Sequence, residues 1–321
     1  MRALSDLFTL LPELILTVTV LTVITVDLFL PRATKWLLTP ITVFGLVLAG
    51  VGCALVWGVN ETVFAGFYVV DDLSVFFKAA TIVIGILAAL FAPPYLLSRR
   101  LPLGEFNAIL LFSLIGMCVL ASSSDLITLF LGLELMVMPS YLLAGFHKTD
   151  RYSNEGGLKY FLLGSFASAI LLLGISWAYG LTGSTRIEAI GAGVLDSGPA
   201  GLVAIGLLTV GGTFKIAAVP FHYWTPDAYQ GAPTPITALM ASCTLVSAFG
   251  AILRVFYVGL ENLRWDWRPM MWGVAIITMI AGAVIAITQT DVKRLLAYSS
   301  IAHAGFLLLG VIATSKAGLS A

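Results

Sequence analysis

Long apolar blocks separated by short polar breaks run along the whole chain, at residues 10–30, 36–57, 73–97, 105–122, 125–146, 157–181, 199–220, 234–259, 269–289 and 292–313. A helix needs roughly 20 apolar residues to cross a hydrocarbon core, and each block is close to that length. Backbone amides and carbonyls find no partner in lipid except one another, so these runs are expected to be helices rather than open strands. The pattern predicts an all-α, polytopic membrane protein with about ten spans. The fourth and fifth blocks are separated only by Ser122-Ser123-Ser124, which predicts a tight helical hairpin. The first block is too long for a signal-peptide core and has no small-residue cleavage site, so it reads as a retained span.

The seventh block does not end cleanly. After Val219 it continues as Pro220-Phe-His222-Tyr-Trp-Thr-Pro226-Asp and reaches Gly231-Ala-Pro233-Thr-Pro235. Proline lacks the amide donor and clashes with the preceding turn, so Pro220 is expected to break or kink this helix. Transporters place such breaks at ion sites, where protein or a water cavity covers the freed backbone groups.

Composition agrees with the pattern. Of 321 residues, 59% are hydrophobic and 11% charged, against about 45–50% and 25% in a soluble domain. Lys plus Arg and Asp plus Glu both number 17, so net charge gives no reason to expect a nucleic-acid partner. The distribution of charge says more. Arg32, Lys35, Arg99, Arg100, Lys148, Arg151, Lys293 and Arg294 fall in alternate loops, against Arg2, Arg186, Arg264, Arg268 and Lys316 on the other side. The positive-inside rule then puts the amino terminus outside. Cys53, Cys118 and Cys243 each stand alone in apolar runs and read as core residues, without metal or redox spacing. His147, His222 and His303 lack the pairing of a bis-histidine haem site, and no phosphate-loop spacing surrounds Gly211-Gly212.

A few ionisable residues lie within the blocks, where a charge costs at least ~2.5–3.5 kcal/mol on insertion scales. Glu134 lies nine residues into its span, ~14 Å deep at 1.5 Å per residue. Lys215 stands five residues before Pro220. Burial penalises each charge and the opposite charge favours it, so the two read as a proton-handling pair or as a static pair joining two helices. His303 lies ~16 Å into the tenth block and reads equally as a relay or as a structural hydrogen-bonding residue. Lys159 and Lys78 read as relay groups or as side chains snorkelling to the interface. Arg254 reads as an anchor near a helix end, and Glu13 and Asp27 as interface or helix-packing groups.

Taken together, these residues resemble the subunit N family of bacterial NADH:quinone oxidoreductase, respiratory complex I, and its antiporter-like relatives. The likeness is carried by Leu131-Gly-Leu-Glu134-Leu, Gly156-Gly-Leu-Lys159-Tyr-Phe, the run from Phe214-Lys215 through His222 to Pro233, Asp291-Val-Lys-Arg through His303, and the opening Leu11-Pro-Glu13 with Asp27. It covers essentially the whole chain.

The resemblance implies a proton-translocating subunit of the bacterial inner membrane, with Glu134 and Lys215 as working pair and Lys159 modulating it. His222 and His303 are further candidate residues. It implies no cofactor in this chain, with flavin, iron–sulfur clusters, NADH and quinone bound by partner subunits of the membrane complex. It also implies inverted repeats of five helices within about fourteen spans. Spans 1–3 then occupy residues 1–104, the first repeat 105–260 and the start of a second repeat 261–321. The chain departs from the pattern in two ways. Leu245 stands where the family usually has a lysine in the eighth span, although Cys243, Thr244 and Ser247 are near. The chain also stops at Ala321, before the second broken helix. A structural or assembly subunit with an impaired proton path is one alternative. A cation/proton antiporter or membrane-bound hydrogenase subunit of the same superfamily is another.

Overall fold

The computed structural model describes residues 2–195 and 197–313. A short helix α1 (Arg2–Thr9) leads into α2 (Leu11–Phe29), and α3 (Leu38–Leu55) follows a 3-10 segment, Arg32–Leu37. An antiparallel pair of strands, β1 (Glu61–Val63) and β2 (Tyr68–Val70), precedes α4 (Asp72–Ser98), α5 (Leu103–Ala121), α6 (Leu126–Ala144) and α7 (Arg151–Thr182). A short α8 (Ile187–Leu195) connects to α9 (Pro199–Lys215), and α10 (Trp224–Gly231) resumes beyond a break. One further span, Thr234–Gly259, consists of α11 (Thr234–Leu239) and α12 (Leu245–Ile252), joined and extended by the π-helical stretches Met240–Thr244 and Leu253–Gly259. The described bundle ends with α13 (Arg264–Ile287) and α14 (Val292–Ala313).

Among the described residues, nine helices are long and apolar enough to cross a membrane, with α9 a shorter apolar helix of 17 residues. This is the polytopic helical bundle that the apolar blocks predict. Its outer surface is apolar, with Phe29 and Ile287 82% and 85% exposed, as a lipid-facing surface must be. Lys316 and Ala321, and with them the end of the 261–321 unit, lie outside the described residues, as does the Arg2 side chain.

Helix pairs approach closely where small residues allow it. In the α5–α6 hairpin, a Cβ added at Gly132 would lie 2.7 Å from the Leu120 amide nitrogen. Ser113 Oγ donates across this interface to the Met136 carbonyl at 3.0 Å. Gly156 of α7 gives α10 the same access, since a Cβ there would lie 2.6 Å from the Asp227 carbonyl oxygen.

The two strands are absent from the sequence prediction, which treated residues 58–72 only as a connection. They pair Glu61 with Val70 and Val63 with Tyr68, and they dock on the α5–α6 turn. The Val69 amide donates to the Ser122 carbonyl at 2.8 Å, and Ser124 Oγ donates to the Gly66 carbonyl at 2.8 Å. Alternation along β2 then sends Tyr68 and Val70 inward, where both are buried. The bundle thus has a hairpin end, at Ser122–Ser124, and a basic end, where Arg99, Lys148, Arg151 and Lys293 lie.

Candidate functional site

The break in the seventh block falls earlier than the proline predicts. Helix α9 stops at Lys215, and Ala217 takes a positive φ of 56°. Pro220 therefore lies within a non-helical crossing of residues 216–223. Several side chains bind the freed backbone. Trp224 Nε1 donates to the Phe214 carbonyl at 3.3 Å, and the Val219 amide donates to Thr278 Oγ1 of α13 at 2.9 Å. Trp224 also stacks on Tyr160, at 4.2 Å between ring centroids, and Tyr160 meets Tyr141 edge to face at 4.6 Å. An aromatic ladder from α6 through α7 to α10 covers the break. Backbone groups exposed by a break at this depth need such cover.

Lys215 is 6% exposed. Its Nζ donates to Ser168 Oγ of α7 at 3.2 Å and lies 5.5 Å from the Phe214 ring centroid. Ser168 is one helical turn from Gly164, and the Tyr141 hydroxyl lies against Gly164, without a hydrogen-bond partner. Glu134 is two turns from Tyr141 on α6, and its buried Oε1 also lacks a partner. Lys215 on α9 and Glu134 on α6, two helices that both pack against α7, do not form an ion pair. Between them lie a serine and a tyrosine hydroxyl. A small apolar cavity of about 30 Å³, lined by Leu129, Leu133, Leu171, Gly212 and Ala248, borders Lys215.

The other predicted residues lie away from Lys215. His222 sits in the crossing, buried, stacked on Tyr223 and edge-on to Tyr298, with Nδ1 unpartnered. His303 is exposed and hydrogen-bonds the Ser299 carbonyl of its own helix at 2.7 Å. Lys159 lies at the basic end, bonded to Asp227 at 2.7 Å and Glu155 at 2.8 Å. Asp227 also takes Arg294 at 2.6 Å, and Lys293 donates to the Ala232 carbonyl at 2.6 Å. Lys159 therefore ties α7 to the broken segment and, through Asp227, to α14.

A second charged region lies near the hairpin end. Lys78, 0% exposed, does not snorkel: its Nζ lies 2.9 Å from Glu13 Oε1 and 2.7 Å from the Tyr68 hydroxyl. Tyr68 in turn donates to Glu13 Oε1 at 2.6 Å. Arg254 is buried as well and forms a bidentate bridge to Asp71 at 2.6 and 2.8 Å, with a further bond to the Ala121 carbonyl. Asp71 also caps α4 through the Ser74 amide, a capping box. Burial raises the Asp71 carboxyl, but Arg254 and Ser74 outweigh it and hold the group below the usual carboxylate range. Asp27 pairs with Lys35 at 2.8 Å, consistent with helix packing. Reading the sequence missed the Glu13–Lys78–Tyr68 contact, Asp227, Ser168 and Tyr141. One signal was available for Lys78: it lies ~9 Å inside its span, deep enough to call for a partner.

Comparison with known proteins decides the family. The family model described as NADH:quinone oxidoreductase/Mrp antiporter, transmembrane, matches residues 123–321. The chain belongs to this family. A subunit N of NADH-quinone oxidoreductase from Trichlorobacter lovleyi is 40% identical over 319 residues, 98% of this chain and 66% of that protein. The subunit N of Rhodococcus opacus is 54% identical over 221 residues, covering 67% of this chain and 41% of that protein. A chain in the structure of respiratory complex I from Thermus thermophilus with bound aureothin superposes with a TM-score of 0.80 at 34% identity, covering 95% of this chain and 65% of that one. This family member spans about two thirds of the length of the Trichlorobacter and Thermus proteins, and the resemblance drawn from its motifs is borne out.

Proposed function

We propose that the chain is a proton-translocating subunit in the membrane arm of an NADH:quinone oxidoreductase of the bacterial inner membrane, with its amino terminus outside. Quinone reduction in partner subunits drives it, and those partners carry the flavin and iron–sulfur clusters. The observation that carries the reading is Lys215. It is a buried ammonium at the last residue of a broken helix, held by one hydroxyl of α7, with two unpartnered groups, Tyr141 and Glu134, on α6 beyond it. A cation with so few partners can change its proton occupancy with little rearrangement around it. A proton entering from the basic end reaches Lys215 at the helix break, and Ser168, Tyr141 and Glu134 offer oxygens along which it moves sideways. Residues 105–260 form the half-channel, between the first three spans (1–104) and the start of a second repeat (261–321). Lys159, through Asp227, sets the position of the broken segment, and His222 and His303 are secondary candidates.

The test is Lys215→Ala and Glu134→Ala in the assembled complex, reconstituted in vesicles. Both are expected to lower the protons moved per electron strongly while the complex still assembles. Unchanged stoichiometry in both variants would overturn the reading. An impaired path is the second reading, and the eighth span favours it. Leu245 carries no titratable group, and the Thr244 and Ser247 hydroxyls donate back to the Met240 and Cys243 carbonyls of their own helix. A rise in pumping on Leu245→Lys would support that reading.

A further inference from the structure

The Glu13–Tyr68–Lys78 cluster joins three separate segments, the first long helix, the strand pair and α4. We propose that it is a proton-exchanging site in its own right, in which the Tyr68 hydroxyl carries protons between the Lys78 ammonium and the Glu13 carboxylate. The three groups form a closed triangle with edges of 2.6, 2.7 and 2.9 Å. In one step Tyr68 gives its proton to Glu13 Oε1 and takes one from Lys78. An O–H bond forms at the carboxylate, the tyrosine ends with the O–H it began with, and an N–H bond breaks at the ammonium. The charged pair becomes a neutral amine and a carboxylic acid with no change in total charge, which a low-dielectric interior tolerates.

Two atoms distinguish this cluster from a closed structural clamp. Glu13 Oε2 is buried and has no hydrogen-bond partner, and the same is true of Ser122 Oγ in the turn beneath the strands. Buried polar atoms are normally paired, so an unfilled carboxylate oxygen marks where a proton or a water is received. Glu13 is 5%, Ser122 0% and Lys78 0% exposed, which places the site in protein rather than in lipid. Its other titratable neighbours are the thiols of Cys53 on α3 and Cys118 on α5. The strand pair closes the site toward the hairpin end.

The inference rests on the proton-translocating reading only for its effect on pumping; the exchange itself is measured separately. Infrared difference spectra of the assembled complex during quinone reduction are expected to show a protonated-carboxyl band that shifts in D2O. That band should be lost in both Glu13→Gln and Tyr68→Phe, and Tyr68→Phe should also lower the proton-to-electron ratio. Tyr68→Phe keeps both charges and so carries the test if Glu13→Gln fails to assemble. Absence of the band from the wild-type complex overturns the proposal, as does its persistence in Tyr68→Phe. Wild-type stoichiometry in the neutral double variant Glu13→Gln/Lys78→Met identifies a clamp and overturns it as well. If Lys215→Ala leaves pumping intact while the band behaves as expected, only the preceding reading fails.

Discussion

Lys78 and Lys215 are the same residue type at similar burial, yet they are held in different ways. Lys78 has a carboxylate and a phenol within hydrogen-bonding distance, and its position ties three elements together. Lys215 has one serine hydroxyl and an aromatic ring, and it forms no ion pair with the Glu134 carboxylate of α6. The difference shows that burial alone does not set how tightly a charge is held. Breaking a buried ion pair leaves an uncompensated charge and is costly, whereas replacing a buried ion that has one weak partner is expected to disturb the fold less. Depth in the membrane identifies both lysines, and only the list of partners separates them.

Removing counter-ions tests this contrast most severely. Glu13→Ala leaves Lys78 buried and unpaired, and is expected to cost about 3–5 kcal/mol, read as a large fall in the thermal midpoint of the detergent-solubilised protein. Gly156→Leu forces a side chain against the Asp227 backbone and is expected to cost about 1–3 kcal/mol through overpacking, with a shift in the Lys159–Asp227 contact. Tyr68→Phe removes one hydrogen bond from each charge and is expected to cost about 1–2 kcal/mol. At the other extreme, Lys215→Met is expected to leave the midpoint unchanged or slightly raised, because an apolar side chain of similar volume replaces a poorly partnered charge. A large fall for Lys215→Met, or none for Glu13→Ala, would erase the distinction.

The Asp71–Arg254 bridge sharpens the comparison through pH. The Asp71 carboxyl is held lower in the folded protein than its ordinary value, so the stability it contributes is fully present above the ordinary value of 3.8 and is lost as pH falls through the folded one. Asp71→Asn is therefore expected to flatten the acid limb of the stability profile below that pH and to change nothing in its shape near neutrality. Unfolding midpoints measured against pH check both limbs.

Much of the bundle was legible because each span had to be apolar along its length, and the Ser122–Ser124 turn was short enough to force a hairpin. Glu134 and Lys215 stood out because charge is rare in such runs. The break was legible from Pro220, but its position was not. The chain leaves the helix at Lys215 because Ala217 takes a left-handed conformation and the Trp224 indole binds the Phe214 carbonyl, and neither feature has a local sequence signature. The strands were hidden in a short connecting segment whose pairing depends on the docked Ser122–Ser124 turn. Glu13 and Lys78 are 65 positions apart, and no local pattern reports that α2 and α4, each packed against α3 and α5, bring these side chains together. His303 shows the opposite limit: its place along the helix is legible in the sequence, but that says nothing about which side of the helix it faces, and it faces outward.

The stop of α9 at Lys215 has an electrostatic consequence. The aligned peptide dipoles of a helix leave roughly half a negative charge at its carboxyl end, and this one ends at the lysine, inside the bundle rather than at the interface. That terminus favours a cation by up to about 2 kcal/mol in a partly buried setting. The end of α9 thus sets a partial negative charge of backbone carbonyls near Lys215, weaker than the carboxylate that pairs with Lys78. It is built into the main chain and takes no proton, so it holds its half charge whether or not the lysine holds its own.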